Sequence, residues 1–160
     1  MPDTGNSGGP GPAARGAAGR GAADRCPGPV GIVVVSHSAA IAGGVVDMAR
    51  QMAGPEVRIV AAGGAADGSL GTDAGRIAAA IYQADAASGV VVLADLGSAV
   101  IASRLAVEMS SAGRACPVRI SRGPLVEGAV VAAVQAAAGD DLEAVLRTAD
   151  EAADMDKLGG

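Results

Sequence analysis

Apolar and polar positions along this chain alternate between two rhythms. Residues 30–36, "VGIVVVS", are a continuous β-branched run, the pattern of a strand buried on both faces. Over residues 39–54 the period changes. Ile41, Val45, Met48 and Met52 recur at spacings of three and four, and Gly54-Pro55 stops the run, so a helix is predicted. The exchange then repeats. A strand is expected over 56–64, a loop over 65–71, and a helix over 72–89 with Thr72 as its N-cap and Asp73 in its first turn. A third strand covers 90–95, followed by a helix over 97–113 with Ile101, Leu105 and Met109 on one face. The fourth strand, 117–121, is less apolar and is therefore placed near an edge. Helices over 124–139 and 140–152 close the pattern, the second on a capping-box-like start from Asp140 and Glu143.

This alternation predicts an α/β fold: an open, mainly parallel four-stranded sheet with helices on both faces. Residues 1–29 lie outside the pattern. They are rich in Gly, Pro and Ala and lack apolar periodicity, so they cannot bury enough surface to offset their ordering entropy. The expected organisation is a disordered tail over 1–29, a folded domain over 30–153 and a flexible C-terminus over 154–160.

Composition sharpens this picture. The 160 residues suit one domain, and 50% are hydrophobic, but with no Trp, no Phe and one Tyr the core must be built from Val, Ile, Leu, Met and Ala. The net charge of −5, without any block of Lys and Arg, argues against nucleic acid or an anionic membrane as partner. Residues 1–29 have no apolar segment of the secretory kind, and the most apolar window, 88–109, is broken by Asp95 and Arg104. No membrane span is expected, and a cytoplasmic location is the simplest reading. Cys26 and Cys116 belong to no spaced framework, so neither a disulfide nor a cysteine metal site is expected.

Open α/β sheets hold ligands beyond the carboxyl ends of their strands, where strand order reverses. With the first strand central, that point lies between strands one and three. The first ends in Ser36-His37-Ser38, which contains the only histidine in the chain, and the third runs into Asp95-Leu96-Gly97-Ser98. Neighbouring strands lie about 4.8 Å apart, so His37 and Asp95 can hydrogen-bond. A carboxylate on one ring nitrogen fixes the tautomer and leaves the other nitrogen as a nucleophile. The helix starts after His37 and Ser98 offer free N–H groups suited to phosphate, and Gly43, Gly44 and Gly97 are read as allowing close backbone approach. Neither Gly43-Gly44 nor Gly63-Gly64 makes a nucleotide-binding fingerprint. His37 with Asp67, Asp73 and Asp95 would be a poor metal set, and no metal is expected.

Four motifs, in order, carry a resemblance. "VVVSHS", "GTD" before the second helix, "LADLGSA" and "PLVEG" resemble DhaM, the family of phosphotransferase-system subunits of dihydroxyacetone kinase related to mannose-type enzyme IIA. The likeness spans about residues 30 to 152. It implies a phosphohistidine carrier that takes a phosphoryl group from phospho-HPr and passes it to ADP on the DhaL subunit. DhaL, with DhaK, then phosphorylates dihydroxyacetone. His37 would be phosphorylated and Asp95 would orient it. Ser36, Ser38, Gly71, Thr72, Gly97 and Ser98 would form the surrounding loops. A homodimer without cofactor is implied. Some relatives carry fused HPr and enzyme I regions; this chain lacks them, so phospho-HPr is expected to act in trans. The resemblance gives "PLVEG" no catalytic role, and a helix start with an acidic first turn explains it. Two alternatives stay open: a mannose-type enzyme IIA of a sugar transporter, which "DLGSA" and "PLVEG" disfavour, and a non-catalytic α/β interaction module, which the pairing of His37 with Asp95 disfavours.

Overall fold

A computed structural model describes residues 28–86 and 88–159. The tail expected over 1–29 lies outside the described residues except for Gly28 and Pro29. Four strands, β1 (Gly31–Ser36), β2 (Ile59–Gly63), β3 (Val90–Ala94) and β4 (Val118–Ile120), alternate with helices α1 (Ala39–Ala53), α2 (Ala74–Ala84), α3 (Gly97–Ser110), α4 (Leu125–Ala137) and α5 (Leu142–Glu151). The sheet runs β2-β1-β3-β4 and every pairing is parallel. Ile32 pairs with Ile59 on one side and Val91 on the other, so β1 is interior and the strand order reverses between β1 and β3. The short β4 is an edge, as its weaker hydropathy predicts.

Period-two alternation sorts the strand residues into two cores. Ile32, Val34, Val91 and Leu93 face α1, α4 and α5, whereas Val33, Val35, Val90 and Val92 face α2 and α3. All six residues of β1 are buried because both faces are covered. The strands supply the large side chains. The helices answer mostly with alanine: Ala42 and Ala49 on α1, Ala80 and Ala84 on α2, and Ala129, Ala132, Ala133 and Ala136 on α4. Small facing residues let the layers close to native packing density without any aromatic volume.

Helix faces depart from the apolar spacing. Ile41, Met48 and Met52 identify α1 in the sequence, yet all three are more than half exposed, and only Val45 of that series is buried. On α3, Ile101, Leu105 and Met109 likewise face outward while Ala99, Ser103 and Ala106 are buried. The rotation of α3 follows from its first turn. Ser98 points at the strand tips, and Ile101 and Leu105, three and seven residues later, share its face.

Two caps are corrected. Asp73, not Thr72, caps α2, its carboxylate accepting from Arg76 N–H at 2.8 Å, and the helix ends at Ala84 rather than 89. Asp141, not Asp140, caps α5 by accepting from Ala144 N–H at 2.9 Å. Asp140 instead receives the Gln135 amide, and Glu143 pairs with Arg119. Cys116 is buried and disulfide-bonded, against the expectation of free thiols; Cys26 lies outside the described residues. The "PLVEG" segment acts as structure. Leu125 packs on the core, and a side chain on Gly128 would meet Leu93 Cδ2 at 2.7 Å. Glu127 pairs with Lys157, which draws its carboxyl below the ordinary range. Among the described residues, no helix is long and apolar enough to cross a membrane.

Candidate functional site

The carboxyl end of β1 carries Ser36, His37 and Ser38 into α1, and the tip of β3 brings Asp95 alongside. Ser36 is fully buried at the strand end, and its hydroxyl donates to Asp95 Oδ2 at 2.9 Å. The backbone N–H of His37 donates to the same oxygen at 2.9 Å. Ser38 N–H then donates back to Ser36 Oγ at 3.1 Å, while Ser38 caps α1 by accepting from Ile41 N–H. Asp95 Oδ1 lies 2.9 Å from His37 Nδ1 and accepts Leu96 N–H at 2.8 Å. Both carboxylate oxygens are thus occupied.

Partial burial pushes the Asp95 carboxyl up, but hydrogen bonds from His37 N–H, Ser36, the His37 ring and Leu96 N–H together outweigh it and hold it below the ordinary range. An ionised carboxylate only accepts, so Nδ1 carries the proton towards it. In the neutral ring Nε2 is then the lone-pair nitrogen, accepting from the Ser98 hydroxyl at 2.7 Å. The imidazole is held at both nitrogens yet remains 27% exposed.

Ser98 sits in the first turn of α3. Leu96 occupies the cap position and provides no side-chain acceptor. The first helical hydrogen bond is from Val100 N–H to the Leu96 carbonyl, so the amides of Gly97 and Ser98 precede the helical ladder. Open N–H groups at the positive end of a helix dipole, beside a nucleophilic nitrogen, suit an anion.

The sequence-derived residues meet to different degrees. Ser36, His37, Ser38, Asp95 and Ser98 form one network. Gly71 joins through its N–H, which donates to the His37 carbonyl at 2.9 Å. Gly97 begins α3, and Thr72 makes no hydrogen bond to His37. Asp67 is engaged with Ser69 and Asp73 with Arg76, so neither joins His37 and Asp95. No group of three or more His, Cys, Asp and Glu side chains that could hold a metal is present among the described residues. A Cβ on Gly43, Gly44 or Gly97 would meet no protein atom within 4 Å, so no contact within the protein requires glycine there. Close packing of backbone on backbone next to the site is found at Gly63, where a Cβ would lie 2.6 Å from Ala39 Cα and 2.7 Å from the Ser38 carbonyl. That glycine lets β2 close against the start of α1, and its place at the end of an apolar strand was the available signal.

Comparison with known proteins places the chain in a family. Residues 31–146 match the family described as "PTS system fructose IIA component". A DhaM from Listeria innocua, named a phosphoryl donor subunit of PEP-dependent dihydroxyacetone kinase 2, is 37% identical over 74% of this chain and 94% of its own length. The chain belongs to the DhaM family. It is 38% identical to the Escherichia coli DhaM over 73% of this chain, which corresponds to 25% of that longer protein. A crystal structure of a protein of unknown function, EF1359, matches this DhaM-family chain with a TM-score of 0.65 and 40% identity, over 74% of this chain and 91% of that one. A sigma-54 interaction domain protein from Enterococcus faecalis, 16% identical at a TM-score of 0.58 over 76% of this chain and 88% of its own, shares the fold.

Proposed function

We propose that this chain is a phosphohistidine carrier. His37 accepts a phosphoryl group from phospho-HPr and passes it to ADP bound on the DhaL subunit, which together with DhaK phosphorylates dihydroxyacetone; the setting is cytoplasmic. The observation that carries the reading is the imidazole held between the Asp95 carboxylate and the Ser98 hydroxyl, with Nε2 turned to the open start of α3. The names of the relatives support the same chemistry.

The chain's own groups divide the work. Asp95 fixes the tautomer and faces the positive charge that develops on the ring as Nε2 forms its bond to phosphorus. The Nε2 lone pair makes the new N–P bond while the donor's N–P bond breaks and its electron pair returns to the donor imidazole. Ser98 Oγ turns from Nε2 to a phosphoryl oxygen. The Gly97 and Ser98 amides meet the charge spread over the equatorial oxygens, where phosphoryl transfer needs stabilisation most. Ser36 and the His37 N–H hold the carboxylate in place and do not touch the phosphoryl group.

The test is 32P incorporation from phosphoenolpyruvate with enzyme I and HPr, followed by chase into ADP on DhaL. Acid-labile, base-stable label on His37 that chases into dihydroxyacetone phosphate is expected. A protein that takes no label, or holds a label DhaL cannot remove, is not this carrier.

A further inference from the structure

His37 stands at the carboxyl ends of the strands. The amino ends lie about 20 Å away, the length of the six residues of β1. Cys116 sits there, just ahead of Pro117 and β4. It is 6% exposed and disulfide-bonded. The chain contains one other cysteine, Cys26.

The backbone brings the two within reach of each other. The segment leading into β1 lies against the one leading into β3. The Ser88 hydroxyl donates to the Gly28 carbonyl, Gly31 N–H donates to the Gly89 carbonyl at 3.0 Å, and a Cβ on Gly28 would lie 2.8 Å from the Ala86 carbonyl oxygen. The segment leading into β3 lies in turn against the one that carries Cys116. Val90 N–H donates to the Pro117 carbonyl at 3.2 Å, and a Cβ on Gly89 would lie 2.6 Å from the same oxygen. Arg114 Nη2 pairs with Asp85 Oδ2 at 3.2 Å. Gly28 is therefore one strand step, about 4.8 Å, from the leader of β4. Two residues of chain carry Gly28 back to Cys26 and span up to about 7 Å, which covers that step with a disulfide's own reach of about 5.5 Å between Cα atoms to spare.

We infer that Cys26 and Cys116 form a reversible thiol–disulfide latch that ties the segment ahead of β1 to the leader of β4. The bond encloses residues 26–116, and with them β1 to α3 and the whole His37, Asp95 and Ser98 network. Cross-linking so long a loop removes freedom from the unfolded chain, so the closed form melts later. Among the described residues neither core uses anything before Val30, so the open form stays folded. Closure is an exchange. The Cys26 thiolate attacks a small disulfide such as oxidised glutathione and releases one thiolate. Cys116 then gives up its proton, its sulfur attacks the Cys26 sulfur, and the second thiolate leaves. Two protein thiols are oxidised and one disulfide is reduced to two thiols. A reducing thiol pool runs the exchange backwards, which makes the pair a redox sensor and not a permanent staple. The latch lies at the far end of the strands and stands independently of what His37 carries.

The experiment equilibrates the full chain with oxidised glutathione or with dithiothreitol, blocks free thiols with N-ethylmaleimide, and digests with trypsin without reduction for mass spectrometry. After oxidised glutathione, the peptides Cys26–Arg50 and Ala115–Arg119 should appear joined; after dithiothreitol, each should carry one maleimide. The melting temperature should fall by about 10 °C on reduction. Cys26→Ser, a change ahead of the folded domain, should show the lower value in both buffers. Returning reduced wild type to oxidised glutathione should restore both readings. Maleimide on both peptides after oxidised glutathione overturns the pairing. Ala115–Arg119 joined to a second copy of itself overturns it too, since the bond would then run between chains. A linkage that dithiothreitol does not open in the native protein, or a melting temperature indifferent to it, overturns the latch.

Discussion

The tips of β1 and β4 are built by the same three hydrogen bonds. At β1, Ser36 donates to Asp95 at 2.9 Å, the following N–H donates to Asp95 at 2.9 Å, and the next N–H returns to the serine oxygen at 3.1 Å. At β4, Ser121 donates to Asp150 at 2.6 Å, Arg122 N–H donates to Asp150 at 2.9 Å, and Gly123 N–H returns to Ser121 at 3.0 Å. Both clamps satisfy strand-end amides that the ladder no longer serves. They differ in what the carboxylate's other oxygen does. Asp95 comes from the tip of the neighbouring strand, so its second oxygen lies level with the His37 ring and binds it. Asp150 comes from α5, and its second oxygen meets Arg122 Nε at 3.4 Å while that side chain stays 89% exposed. The clamp is therefore a way of ending a strand. It becomes a site only where the carboxylate lies within hydrogen-bond distance of a ring nitrogen and a second hydroxyl, Ser98, takes the other nitrogen.

That distinction can be broken most directly at the middle residue of each clamp. His37→Ala should abolish 32P incorporation from phospho-HPr and leave the fold intact, whereas Arg122→Ala should label at the wild-type rate. Label retained by the first variant, or lost by the second, would reverse the assignment of the two tips.

The carboxylates give the next largest contrast. Asp95→Asn keeps the shape but removes the charge that answers the developing imidazolium. Single-turnover transfer should slow by roughly one to three orders of magnitude. Asp150→Asn should leave that rate unchanged and lower stability to urea by about 1–3 kcal/mol, the cost of weakening hydrogen bonds to partly buried donors. Equal rates in the two variants would mean that the clamps are functionally alike.

A glycine comparison follows. A Cβ on Gly123 would lie 1.9 Å from the Ala149 carbonyl oxygen, while one on Gly97 meets nothing within 4 Å. Gly123→Ala should cost about 3 kcal/mol by thermal or urea unfolding, on the scale of overpacking. Gly97→Ala should lose far less. A stable Gly123→Ala would show that β4 and α5 can separate without penalty.

The smallest effect is in pH. The Asp95 carboxyl is held below its ordinary value of 3.8, so its contribution is fully present above that value and is lost as pH falls through the lower folded one, where unfolding takes up a proton. The stability difference between wild type and Asp95→Asn should be constant from neutral pH down to about that value and shrink below it. A difference unchanged in acid would mean that the hydrogen bonds to Asp95 do not favour its charge.

Much of this was legible in the sequence because it is written in periodicity. The short apolar, β-branched runs located all four strands, and the central place given to the first strand is the one the sheet order shows. His37 and Asp95 could be paired before any coordinates because strand ends converge where strand order reverses. The caps were less legible. Thr72 and Asp140 each precede an aspartate that fits the same cap pattern, and only the path of the backbone chooses between adjacent candidates. The β4 clamp was invisible, since nothing in "ISRGP" indicates that an aspartate 29 residues away on α5 will face it.

The sequence by itself determined the elements, their order along the chain and the chemistry available at one strand tip, because local spacing and residue type fix which backbone conformations bury apolar atoms. Tertiary structure alone decided which helix faces turn inward. In a core whose strands supply the bulk, alanine and valine fit against the sheet, and Ile41, Met48 and Ile101 are left outside. It also decided what the second oxygen of each clamp's aspartate meets, because the height of a carboxylate relative to a neighbouring strand is a property of the assembled sheet and of no segment within it.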